Sequence, residues 1–114
     1  MGQELTVAAV QMYCNRSREE NLAAAEGWIR QAAGDGAQVI LLPELFETWY
    51  FCQERNYDSY QLAMTVWENP AVCRLRQVAA QLKVVLPVSF FERAGNVTYN
   101  SVAVIVADGE LKGV

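Results

Sequence analysis

Apolar residues in this chain come in short runs, and the stretches between the runs have a different period. Leu5 to Met12, Gln38 to Leu42 and Val84 to Phe91 are continuous and rich in Val, Leu, Ile and Ala. Runs of this length fit strands buried on both faces better than core helices. Between the first two runs, Leu22, Ala25, Ile29 and Ala32 recur at helical spacing. Ser17 followed by Glu20 supplies a capping box at the start of that helix, and Gly34-Asp35-Gly36 supplies its stop. Between the second and third runs, Asn69-Pro70 reads as a helix cap and first turn, and Val72, Leu75, Val78 or Ala79, and Leu82 form the buried stripe.

Pro87 inside the third run signals a bulge or a sheet edge. Ala94-Gly95-Asn96 turns the chain into a fourth strand, Val97 to Ala107, so that strands three and four make a hairpin. Asp108-Gly109 turns again, and another strand begins at Leu111. The order strand, helix, strand, helix, strand, strand defines an α/β layer fold that starts with parallel pairing. Residues 46 to 68 are less regular; Tyr57, Tyr60, Met64 and Trp67 keep helical spacing and suggest a short helix. The sequence stops just as a strand begins, which reads as a partial domain over residues 1–114, truncated at the C-terminus.

Composition narrows the function. A chain of 114 residues with 53 % hydrophobic and 19 % charged residues is a globular domain rather than a disordered one. The net charge of −4 and the lack of basic clusters with interleaved aromatics argue against nucleic acid or a membrane as partner. No apolar run reaches the roughly 18 residues of a membrane span, and the N-terminus lacks the basic segment of a signal peptide. Histidine is absent, which removes His-based triads and most zinc and iron sites. Cys14, Cys52 and Cys73 are odd in number and free of CxxC spacing, as in a chain with free thiols in a reducing, cytoplasmic compartment.

One short stretch carries the chemistry. In LLPELFETWYFCQ, residues 41 to 53, a strand runs into Pro43, then Glu44, then Phe46, Trp49, Tyr50 and Phe51. Ligands of open α/β sheets bind beyond the carboxyl ends of the strands, where Glu44 falls. The aromatics are placed to exclude water, and a desolvated carboxylate suits a general base near neutral pH. The residues alone leave a second reading open: Glu44 caps a helical turn or pairs with a lysine or arginine, and the aromatics are ordinary core. Glu47, Glu54 and Asp58 read as a solvated acidic face, Cys73 as core filler, and Cys14 and Cys52 as thiols without an evident activating base.

The segments LTVAAVQM, NLAAAEGWIRQAAGDGAQVILLPELF, VVLPVSFFER and GNVTYNSVAVIVADGELKGV together resemble the amino-terminal part of the nitrilase (carbon–nitrogen hydrolase) superfamily. PELF and YNS are typical of the superfamily, and WYFCQ of a branch that cleaves terminal ureido groups. The resemblance implies a four-layer α-β-β-α sandwich, incomplete here, and a homo-oligomeric full-length form. It implies a small-molecule ureido or amide substrate, no metal and no organic cofactor. It makes Glu44 the general base, and Trp49 and Tyr50 become candidates for substrate binding. The family's lysine and nucleophilic cysteine match no residue of this sequence: Lys112 and the three cysteines lie outside those motifs, so the chain alone is expected to be inactive and poorly stable. Against this stands a non-catalytic α/β binding or interaction module. A nucleotide-binding form of that module would need glycines after the first strand, where the sequence has Tyr13 to Ser17.

Overall fold

The computed structural model describes residues 2–53 and 57–114. Among these, the elements run β1 (Val7–Ala9), α1 (Arg18–Gly34), β2 (Val39–Leu41), α2 (Pro70–Leu82), β3 (Leu86–Ala94), β4 (Val97–Ile105) and β5 (Leu111–Gly113). β1 and β2 pair in parallel, with Val7 opposite Val39 and Ala9 opposite Leu41. A parallel bridge between Val39 and Val85 joins them to the antiparallel set β3-β4-β5. The Ile40 N–H donates to the Val85 carbonyl at 3.0 Å, and the Val85 N–H donates to the Gln38 carbonyl at 2.8 Å. One sheet in the order 1-2-3-4-5 results.

The helices start where their caps say. Ser17 accepts the Glu20 N–H at 3.2 Å. The return half of the capping box is replaced: the Glu20 carboxylate accepts from the Asn15 side chain at 2.7 Å, and Asn15 in turn accepts the Ser17 N–H at 2.7 Å. Asn69 accepts the Val72 N–H at 3.0 Å with Pro70 in the first turn of α2. α2 ends on Lys83 in the left-handed region (φ 56°, ψ 48°). Arg74 grips Glu26 with two hydrogen bonds, at 2.7 and 3.0 Å, and so ties α2 to α1. This pairing, first among its causes, holds the Glu26 carboxyl below the usual range.

Both helices cover the same face of the sheet. Ala25 and Ile29 of α1 and Val72, Leu75, Val78 and Ala79 of α2 bury against Ile40, Leu86, Val88, Phe90, Ala103 and Ile105. A side chain such as Phe90, fully removed from water, contributes about 2–3 kcal/mol. The opposite face, here the outer face, is open: Val7, Leu41, Val102 and Val104 are all exposed. The expectation that the first two runs are strands buried on both faces is not met within these 114 residues: only alternate residues are covered, on the face where α1 and α2 pack. No helix among the described residues is long and apolar enough to cross a membrane.

The short helix expected in residues 46 to 68 is present over Tyr57–Leu62 as a 3-10 helix, but Tyr57, Tyr60 and Trp67 lie exposed despite their helical spacing. Beyond it, Met64 pairs with the free edge of β3: its N–H donates to Phe91 at 3.1 Å, and its carbonyl accepts from Arg93 at 2.9 Å. Pro87 sits in an unshifted β3–β4 ladder opposite Val104, and the register shift falls instead between β4 and β5.

Candidate active site

Glu44 stands just past the end of β2, in a turn that Pro43 opens. The next residue, Leu45, has a positive φ of 51°. That region costs an L-residue other than glycine roughly 1–2 kcal/mol. Two contacts hold Leu45 there. Its side chain is buried, and its N–H donates to the Ser89 hydroxyl of β3 at 2.9 Å. Ser89 lies on the outer face of β3, since its register partner is the exposed Val102 while Phe90 points into the core. The sharp turn therefore lifts Glu44 onto the outer face of the sheet.

There the Glu44 carboxylate meets Asn100 of β4, whose side-chain amide donates to Oε1. Asn100 pairs in register with Phe91. Phe91 stacks on Phe51, with ring centroids 4.9 Å apart, and lies 6.4 Å from Tyr60. Tyr50 also faces the carboxylate: the negative charge of Glu44, and next that of Cys52, pushes the Tyr50 phenol above its ordinary range. Among the described residues no lysine or arginine pairs with Glu44.

The aromatic wall is not built as the sequence suggested. Glu44 is exposed. Phe46 turns away into the core, and Phe51 is buried against Phe91. Trp49 is half-buried beneath the Arg16 guanidinium, 4.1 Å from its ring centroid. Its buried indole N–H finds no acceptor. Of the two aromatics expected to bind substrate, Tyr50 lies beside Glu44, and the Trp49 ring packs under Arg16.

The desolvated carboxylate belongs to Glu47, three positions on. It is buried, not part of a solvated acidic face. Its Oε2 accepts from the Asn69 amide at 3.0 Å and lies 3.7 Å from Arg18. Its main-chain carbonyl accepts from Asn21 at 2.8 Å. Burial pushes the Glu47 carboxyl above its ordinary range, against the pull of Asn69, Arg18 and the Ala71 N–H. Arg18 also donates to the Leu62 carbonyl at 2.6 Å. Glu47 thus pins the Glu44 loop to the first turns of both helices. Asp58 is exposed, and Glu54 lies outside the described residues.

The thiols are all free. Cys73 is exposed rather than core filler, with its Sγ 3.3 Å from the Trp67 carbonyl. Cys14 is half-buried, and burial raises its pKa, the opposite of activation. Among the described residues no three metal-ligating side chains converge. Sequence reasoning missed Ser89, Asn100 and Glu47 as parts of the site. The YNS segment was legible as a motif, but nothing local says that its asparagine meets a glutamate 56 residues away.

The geometry is that of an exposed carboxylate past the end of a parallel strand pair, held by an amide donor beside a turn with positive φ. The chain belongs to the carbon-nitrogen hydrolase family, which it matches over residues 6–114. It is 48 % identical over 108 residues to an N-carbamoylputrescine amidase from Oryza sativa subsp. japonica, covering 95 % of this chain and 36 % of the relative. It is 47 % identical over 110 residues to a citrullinase from Francisella tularensis subsp. tularensis, covering 96 % of this chain and 38 % of the relative. The crystal structure of a carbon-nitrogen hydrolase from Helicobacter pylori G27 superposes with a TM-score of 0.85 at 26 % identity, over 96 % of this chain and 38 % of that one. The fold is therefore the mixed α/β fold of nitrilase-like enzymes, incomplete here. The chain spans little more than a third of the length of the curated relatives it matches.

Proposed function

We propose that these residues form part of a hydrolase that cleaves the terminal ureido group of N-carbamoylputrescine, releasing putrescine, ammonia and carbon dioxide with consumption of one water. Glu44 is the general base. In this reading the catalytic lysine and cysteine come from residues outside this sequence, and the 114 residues alone are inactive. Glu44 takes the thiol proton as the cysteine attacks the ureido carbon. The lysine stabilises the oxyanion that forms. Glu44 then passes the proton to the amine that leaves as the C–N bond breaks and draws one from the water that attacks the carbamoyl thioester; the thiol departs, and the carbamate formed breaks down to carbon dioxide and the remaining amine product. The product places the reaction in polyamine formation, and three free thiols support a cytoplasmic setting. The full-length protein is proposed to assemble as a homo-oligomer.

The observation that carries the reading is the placement of Glu44: at the end of β2, on the open face, one oxygen held by Asn100. The relatives support the substrate class, because N-carbamoylputrescine and citrulline both end in a ureido group. Citrulline differs by an α-carboxylate, and a relative named for it is as similar as one named for the carbamoylated diamine. The full-length protein should release ammonia from N-carbamoylputrescine in preference to citrulline; the reverse preference would move the assignment to the amino acid. Glu44→Gln should lower kcat by on the order of 10²–10⁴-fold without unfolding the protein. Near-normal turnover would remove Glu44 from the role of base.

A further inference from the structure

We propose that Asn100 is the positioning residue for Glu44, an inference that rests on the reading of Glu44 as general base. Glu44 lies in a turn and is exposed; Tyr50 of its own segment faces it, and the amide that donates to it comes from β4. Ser89 fixes only the backbone of the next residue. Asn100, by contrast, stands on the regular β4 strand, locked in register opposite Phe91. Phe91 is itself held between Phe51 and Tyr60. The Asn100 side chain therefore projects from a rigid platform, and it donates to Glu44 Oε1. The amide has one possible orientation there: its carbonyl oxygen would repel a carboxylate, so the NH₂ group must face it. With Oε1 engaged, Oε2 is the oxygen left to exchange a proton. A general base must sit within hydrogen-bond reach of the proton it takes, and a displacement of about 1 Å can cost on the order of 100-fold in rate. Tyr50 also faces the carboxylate, and the charge of Glu44, first among the causes, pushes its phenol above the ordinary range.

The test compares Asn100→Ala, Asn100→Asp and Glu44→Gln in the full-length protein, with N-carbamoylputrescine as substrate and ammonia release as readout. Asn100→Ala should lower kcat roughly 10- to 100-fold and leave KM within about twofold. Asn100→Asp keeps the side-chain shape but puts a second carboxylate against the first. Like charges at that distance resist joint ionisation, so the acid limb of the kcat/KM profile should move up by about one pH unit or more. A residue that only supports the strand would not move that limb. Asn100 is exposed, and one variant keeps its shape, so a folding defect in Asn100→Ala leaves Asn100→Asp as the deciding case. If Glu44→Gln is inactive while Asn100→Asp keeps the wild-type kcat and acid limb, the positioning role is overturned and Glu44 stands. If Glu44→Gln turns over normally, the reading of Glu44 itself falls.

Discussion

Replacing Glu47 separates its charge from its shape. Glu47 is 5 % exposed, and its carboxylate accepts from Asn69, itself fully buried. Desolvation dominates and raises its pKa in the folded state. The sign follows from linkage: a folded pKa above the unfolded one means the native state binds the proton more readily. Glu47 therefore contributes most below the ordinary carboxylate range, and that contribution fades as pH rises through the raised value. At neutral pH, where the unfolded carboxyl is ionised, burying this group costs stability that a neutral isostere would not. Glu47→Gln keeps an oxygen for the Asn69 amide and should leave the unfolding free energy at pH 7 within about 1 kcal/mol of wild type, or higher. Its stability should also fall less between pH 5 and pH 7 than that of the wild type. Glu47→Ala strands the Asn69 amide, at about 1–3 kcal/mol, and leaves Arg18 without its carboxylate. With the lost packing, a total of about 3 kcal/mol follows. Urea denaturation of the full-length wild type and both variants at pH 5 and pH 7 reads all of this. A Glu47→Gln variant as unstable as Glu47→Ala would refute the reasoning, because it would show that the ionised pair with Arg18 outweighs desolvation.

Two smaller predictions concern backbone conformation. Lys83→Gly places the residue suited to φ 56° at the exposed C-cap of α2, and should raise stability by about 0.5–1 kcal/mol, read as a higher thermal midpoint. Gly109→Ala should do the reverse: φ there is +84°, and an added Cβ would sit 2.6 Å from the Arg76 carbonyl oxygen. A loss of about 2–3 kcal/mol is expected in the same melt, and an unchanged midpoint would contradict the tight packing of that turn on α2.

The alternation of strands and helices was legible because its signals are local. Ser17, Asn69-Pro70 and Gly95 each fix a boundary by their own chemistry, and α1, α2 and the β3–β4 hairpin fall where those residues put them. Spacing misled where no local signal backed it. Tyr57, Tyr60 and Trp67 repeat like a helix face, yet the Arg18 strap at Leu62 and the pairing of Met64 with β3 hold that segment in another path. Of the candidate site, the position of Glu44 past the end of β2 was legible and its surroundings were not. The aromatics after it were read as its wall, but Phe46 is taken by the core, and the desolvated carboxylate is Glu47. Hydrophobicity says that a residue is buried, not which carboxylate it surrounds.

The bond between Glu44 and Asn100 spans 56 residues, and the one that sets the Leu45 turn spans 44. Neither can form until the hairpin has docked beside β2. Closing such loops carries an entropy cost that local helices do not face. A nascent β1-α1-β2 unit would already carry Glu44, but as a swinging carboxylate with no fixed aim. The geometry around Glu44 thus depends on contacts far apart in the chain and is set only once the strand order is complete.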